Sequence, residues 1–121
     1  MGPSKGFVIS FPRILKGVPI GTLFMCLYFV KGSSGYIKIG RTNNFDKRLS
    51  EIRRATTDEH VEVLQVFHGE DDFVIAAERD LHFRLTEHRF KGEWYFDTPE
   101  VHGALLDVDR EFNPENYSVS A

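Results

Sequence analysis

The sequence predicts an α/β domain: a small mixed central sheet, opened by a β-hairpin, with helices packed on it in the order β-β-α-β-α-β-α. Three observations carry that expectation. Two runs rich in β-branched and aromatic residues flank Gly32, Ser33, Ser34 and Gly35, the composition of two strands and their turn. Beyond them, segments patterned at period two alternate with segments of helical period. The 121 residues, 41% hydrophobic with 11 phenylalanines, suffice for one core and one domain.

The elements follow in order. Residues 1–21 mix glycines and prolines with scattered apolar side chains. They read as an N-terminal arm that packs on the domain, with a short strand around 7–10. The domain itself is expected over 22–108. A buried strand is expected at 23–31 and its hairpin partner at 36–41. Thr42, Asn43 and Asn44 offer capping side chains to a helix at 45–55. A third strand at 60–67 alternates Val61, Val63 and Val66 with Leu64 and Phe67. Gly69, Glu70, Asp71 and Asp72 end it and cap a second helix at 73–88. A short strand at 93–97 precedes a third helix that opens on Pro99 and runs to 106. Residues 109–121 read as an acidic C-terminal tail.

Composition excludes several classes. No stretch reaches the roughly 20 apolar residues of a membrane span, and 18–30 stops at Lys31. Lys5 and Arg13 fall in the wrong places for a secretory signal, so an intracellular location, cytoplasmic or nuclear, is expected. Cys26 is the single cysteine, which rules out an internal disulfide and a thiolate zinc cluster. Net charge is only −3, yet its distribution is uneven. Lys38, Arg41, Lys47, Arg48, Arg53 and Arg54 face only Asp46 and Glu51 between 36 and 54, whereas 97–115 is dominated by acids. A local anion-attracting face and an ordinary solvated surface both fit that pattern.

Helical phase brings polar residues inward. On the first helix Phe45, Leu49 and Ile52 share one face; Arg48 lies about 60° from its centre, with Lys47 and Arg54 nearly opposite. On the second, Val74, Ala77, Leu81 and Leu85 define the apolar face. Glu78 falls inside that stripe, about 40° from Val74 and about 20° from Leu85. A carboxylate there needs a partner or a metal, so Glu78 is either a metal ligand or the ion-pair partner of Arg48. His82 follows one turn later, slightly to the side. Tyr28 shares a strand face with Phe24, as Tyr36 does with Lys38. Tyr28, Arg48 and Glu78 are therefore expected to converge in one polar site.

Taken together, these positions resemble the GIY-YIG nuclease superfamily, and within it a phage-derived branch of KIG type known as DNA-binding domains. The first strand motif corresponds to Cys26-Leu27-Tyr28 and the second to Lys38-Ile39-Gly40-Arg41-Thr42. Arg48-Leu49, Glu78 with His82 four residues on, and Gly92-Glu93-Trp94-Tyr95 complete the set. The resemblance covers about 24–106 and departs from the superfamily pattern at Lys38, where the second motif has a tyrosine.

The resemblance implies a DNA-directed, metal-dependent phosphodiesterase, an endonuclease or nickase. Glu78 would hold one Mg²⁺ or Mn²⁺, and Arg48 would neutralise charge on the phosphate. Tyr28 would position or deprotonate water, with Lys38 or His82 assisting. Arg41, Lys47, Arg53 and Arg54 would follow the nucleic-acid backbone, DNA being the expected partner. Two other readings remain open: a non-catalytic nucleic-acid-binding module on the same scaffold, and an interaction domain in which Glu78 is purely structural.

Overall fold

The computed structural model describes residues 24–117; the expected arm and its strand at 7–10 lie outside them. β1 (Phe24–Gly32) is an interior strand, flanked by β2 (Ile37–Thr42) on one side and β3 (Val61–Glu70) on the other. Its segment Cys26, Leu27, Tyr28, Phe29 and Val30 is buried at every position, because both faces of the sheet are covered. Leu27 and Phe29 join the larger core with Ile37, Ile39, Val74, Leu81, Tyr95, Val101 and Phe112. Cys26, Tyr28 and Val30 point the other way, toward Ile52, Phe45 and Leu49 of α1 (Phe45–Ala55). Thus α1 covers one face, while α2 (Asp71–Arg84) and α3 (Pro99–Phe112) cover the other.

Local chemistry explains the turns. Gly35 sits at φ 104°, a conformation that favours glycine, and its amide donates to the Gly32 carbonyl at 2.9 Å. The Asn44 side chain caps α1 by accepting from the Lys47 amide at 3.1 Å. Thr98 does the same for α3 through the Val101 amide at 3.3 Å, with Pro99 following it.

The α/β class holds, with three helices among the described residues, but the sheet they form is antiparallel at every pairing rather than mixed. It has five strands in the order β3-β1-β2-β5-β4, and the chain runs β-β-α-β-α-β-β-α. The additional strand is β4 (Arg89–Lys91), which pairs with β5 (Trp94–Tyr95) across a turn where Gly92 has φ 61°. All three β4 residues are exposed, so no burial pattern announced it. The second helix ends at Arg84, and a 3₁₀ turn, Thr86–His88, takes up the rest of its expected length. β3 runs through Gly69 to Glu70, three residues past its expected end.

α3 continues past residue 108 to Phe112, which packs in the main core. The acidic segment from 109 is therefore helical at first, not a tail there. Asp109 is 7% exposed and accepts hydrogen bonds from Asn113 at 2.8 Å and from the Tyr117 hydroxyl.

Candidate functional site

β2 carries the site because it is paired on one side only along part of its length. β5 covers Ile37 and Lys38, while Gly40, Arg41 and Thr42 extend beyond that pairing. Side chains from the two sheet faces meet around this open edge. Tyr28 and Arg48 come from the α1 face, Arg41 and Glu78 from the α2 face.

Gly40 is where the backbone must be bare. It pairs directly with Tyr28 across the strands. A Cβ at this position would lie 2.7 Å from Tyr28 Cζ and 3.1 Å from Glu93 Oε1. The Tyr28 ring crosses this space, and its hydroxyl takes a hydrogen bond from Arg48 Nη1 at 3.3 Å. Arg48 Nη1 also donates to the Arg41 carbonyl at 3.3 Å, and its Nε to Glu51 Oε1 at 3.2 Å. Three acceptors hold the guanidinium in place, yet the side chain stays 38% exposed. Tyr28 itself is fully buried. Burial pushes its phenol above the ordinary range, and Arg48 only partly offsets this, so Tyr28 is uncharged at neutral pH.

Glu78 is inward, as its helical phase requires, with 12% side-chain exposure. Its guanidinium partner is Arg41, not Arg48: Arg41 Nε donates to Oε1 at 2.9 Å. Position 41 explains the exchange. Arg41 lies on the same sheet face as Ile39 and reaches α2, whereas Arg48 is on the α1 side of the sheet. The second oxygen of Glu78 lies 3.3 Å from His82 Nε2. Burial raises the Glu78 carboxyl, but the bonds from His82 and Arg41 outweigh it, and the net position is below the usual glutamate value. His82 Nδ1 meets the Tyr95 hydroxyl, which fixes the ring from its other side. With its Nε2–H given to the carboxylate, the imidazole accepts from Tyr95.

Lys38 Nζ pairs with Glu93 Oε1 at 3.4 Å and stands 5.4 Å from the centre of the Trp94 ring. Glu93 in turn closes a cluster: one ligand atom each from Glu78, His82 and Glu93 lie within 4.8 Å of one another. Two carboxylates and an imidazole are a donor set that divalent cations accept, the oxygens suiting Mg²⁺ and the added nitrogen suiting Mn²⁺. Cys26 does not compete as a nucleophile. Burial pushes its thiol to about 11, so it is protonated at neutral pH.

Of the other basic residues singled out in the sequence, Lys47, Arg53 and Arg54 are exposed on α1. Arg53 Nη2 is tied to the Val61 carbonyl at 3.0 Å. The closing motif Gly92-Glu93-Trp94-Tyr95 by itself gives Glu93 and Tyr95 no role. Strand alternation was the available signal, since Glu93 and Tyr95 lie two apart, but a two-residue strand gives alternation little to act on.

A family model described as the T5orf172 domain matches residues 24–110. No curated protein and no solved structure matches the chain significantly.

Proposed function

We propose that this chain, which belongs to the T5orf172 domain family, is a DNA-directed phosphodiesterase that works with a divalent cation held by Glu78 and Glu93. Membership favours a nuclease-like or DNA-binding role, and the likeness of the strand motifs to GIY-YIG nucleases points to the former. One observation carries the reading: the Glu78, His82 and Glu93 ligand atoms lie within 4.8 Å of one another, on a site edge shared with an anchored, partly exposed arginine.

Each side chain has a distinct task. Arg48, fixed from one side by Tyr28, the Arg41 carbonyl and Glu51, offers its remaining N–H groups to a phosphate and neutralises charge that builds in the transition state. Tyr28 acts through Arg48: buried and uncharged, it is a positioning residue rather than the base. His82, held between the Tyr95 hydroxyl and Glu78, orients the carboxylate, and the proton of the attacking water passes to solvent. A bound Mg²⁺ or Mn²⁺ would supply charge neutralisation at the scissile phosphate. Arg41, 40% exposed, and Lys38 hold the two carboxylates and are placed to turn toward the substrate backbone.

A second reading rests on those same two pairs. Arg41 and Lys38 already balance Glu78 and Glu93 in charge, which suits a DNA-binding module without turnover. Melting the protein with and without Mn²⁺, beside Glu93→Gln, separates the two. Stabilisation by Mn²⁺ in wild type that disappears in the variant supports the phosphodiesterase. Equal melting with and without the ion in both proteins overturns it and leaves the module.

A further inference from the structure

An open groove of about 630 Å³ runs beside the site, between the end of α1 and the β4–β5 hairpin. Aromatic side chains form one part of its wall. Tyr36 and Phe90 stack with ring centroids 4.0 Å apart and planes 2° from parallel. Phe96 packs edge-on against both, at 5.8 Å and 5.6 Å. Phe90 is nonetheless 45% exposed and Phe96 44% exposed. Trp94, Lys38, Lys91 and Glu93 line the same groove.

We propose that this groove holds an unpaired DNA segment, with bases stacked on the Phe90 and Trp94 side of the wall and phosphates met by Lys91 and Lys38. The inference rests on the nucleic-acid reading above and narrows its substrate to DNA that carries single-stranded nucleotides.

Aromatic faces interleaved with lysines are what single strands reward, because every unpaired base has a free face to stack. Duplex bases are already stacked on one another and gain nothing from exposed rings. Two acids share the wall, and one of them is balanced by a cation. Asp58 accepts from the Ser34 hydroxyl at 3.2 Å, and Glu93 is paired with Lys38. Continuity with the site is the second argument. Lys38 and Glu93 line the groove and also border the Glu78–His82 cluster, so a strand lying in the groove is led to Arg48 and Glu78.

Trp94 is the sole tryptophan, so its emission reports on the groove alone. The experiment titrates the full chain, in low salt with chelator present, with oligothymidine and with a duplex of equal length. The single strand is expected to quench Trp94 and to bind about tenfold more tightly than the duplex. Phe90→Ala should weaken single-strand binding about tenfold and leave duplex binding unchanged, while Phe90→Tyr restores it. Equal affinity for both forms, with Trp94 emission unchanged, overturns the groove proposal and leaves DNA binding standing. Absence of binding to either form overturns both. Should Phe90→Ala fail to fold, Lys91→Ala decides: the salt slope of single-strand binding should fall by about one, and an unchanged slope refutes the proposal.

Discussion

Glu78→Gln tests how the carboxylate is held before any chemistry is considered. The substitution keeps size and one acceptor oxygen, puts an NH₂ donor where the other oxygen stood, and removes the charge facing Arg41 at 2.9 Å and His82 at 3.3 Å. The Glu78 side chain is 12% exposed and that of Arg41 40%, so the pair is neither a free surface pair nor a dry one. Solvent screening at Arg41 puts its contribution near 1 kcal/mol, well below the 3–5 kcal/mol of breaking a buried pair. The bond to His82 adds about 1 kcal/mol, of which glutamine retains part. The expected loss is about 1–2 kcal/mol, or about 5–10 °C in Tm for a domain of this size.

The pH dependence follows from the sign of the shift. Glu78 is depressed in the folded state, so the unfolded chain binds more protons and stability falls as pH drops. Its contribution is full above the ordinary glutamate range and is lost as pH falls through the folded value. Melting should therefore separate wild type from Glu78→Gln widely at neutral pH, and the gap should close as pH falls below the ordinary glutamate range. A gap that stays constant across that range, or a variant more stable than wild type at neutral pH, would refute this account of the ion pair.

Three further outcomes follow from the geometry. Gly40→Ala places a Cβ 2.7 Å from Tyr28 Cζ and should lower stability in denaturant titration by about 1–3 kcal/mol, with unchanged stability as the contrary result. Tyr28→Phe should cost about 1 kcal/mol or less at neutral pH. Because the buried phenol is raised, its contribution is present below the ordinary tyrosine range and lost as pH rises through the folded value, so the phenylalanine variant should show a flatter alkaline limb in melting. Phe112→Ala should cost about 3–5 kcal/mol in the same titration, since its ring meets Phe67 at 5.3 Å and Phe73 at 4.7 Å; a cost below 1 kcal/mol would return residues past 108 to the status of a tail.

How far the sequence spoke can be traced residue by residue. Glu78 was legible because a helix has a fixed period, and one charged residue inside an apolar stripe stands out. Its partner was not, because helical phase says nothing about which strand residue lies opposite. The two arginines nearest the site fall on opposite faces of one sheet, a distinction set by the antiparallel pairing of Tyr28 with Gly40. The length of α3 was legible in principle: Val101, Ala104, Val108 and Phe112 keep helical spacing, but the acids between them read as a solvated tail. β4 left no trace, since Arg89, Phe90 and Lys91 are all exposed and the strand exists only through its pairing with β5. The same exposure leaves Phe90 free to line the groove.

Turnover is the most direct test of the central claim. Supercoiled plasmid bearing single-stranded character is incubated with the purified protein and Mg²⁺ or Mn²⁺, beside Arg48→Ala and Glu93→Gln, and nicked circles are counted over time. The account predicts nicking by wild type that chelator abolishes, with loss of at least about a hundredfold in either variant. Intact plasmid after prolonged incubation of folded wild-type protein with both ions, or nicking that persists undiminished in Arg48→Ala and Glu93→Gln, would contradict it.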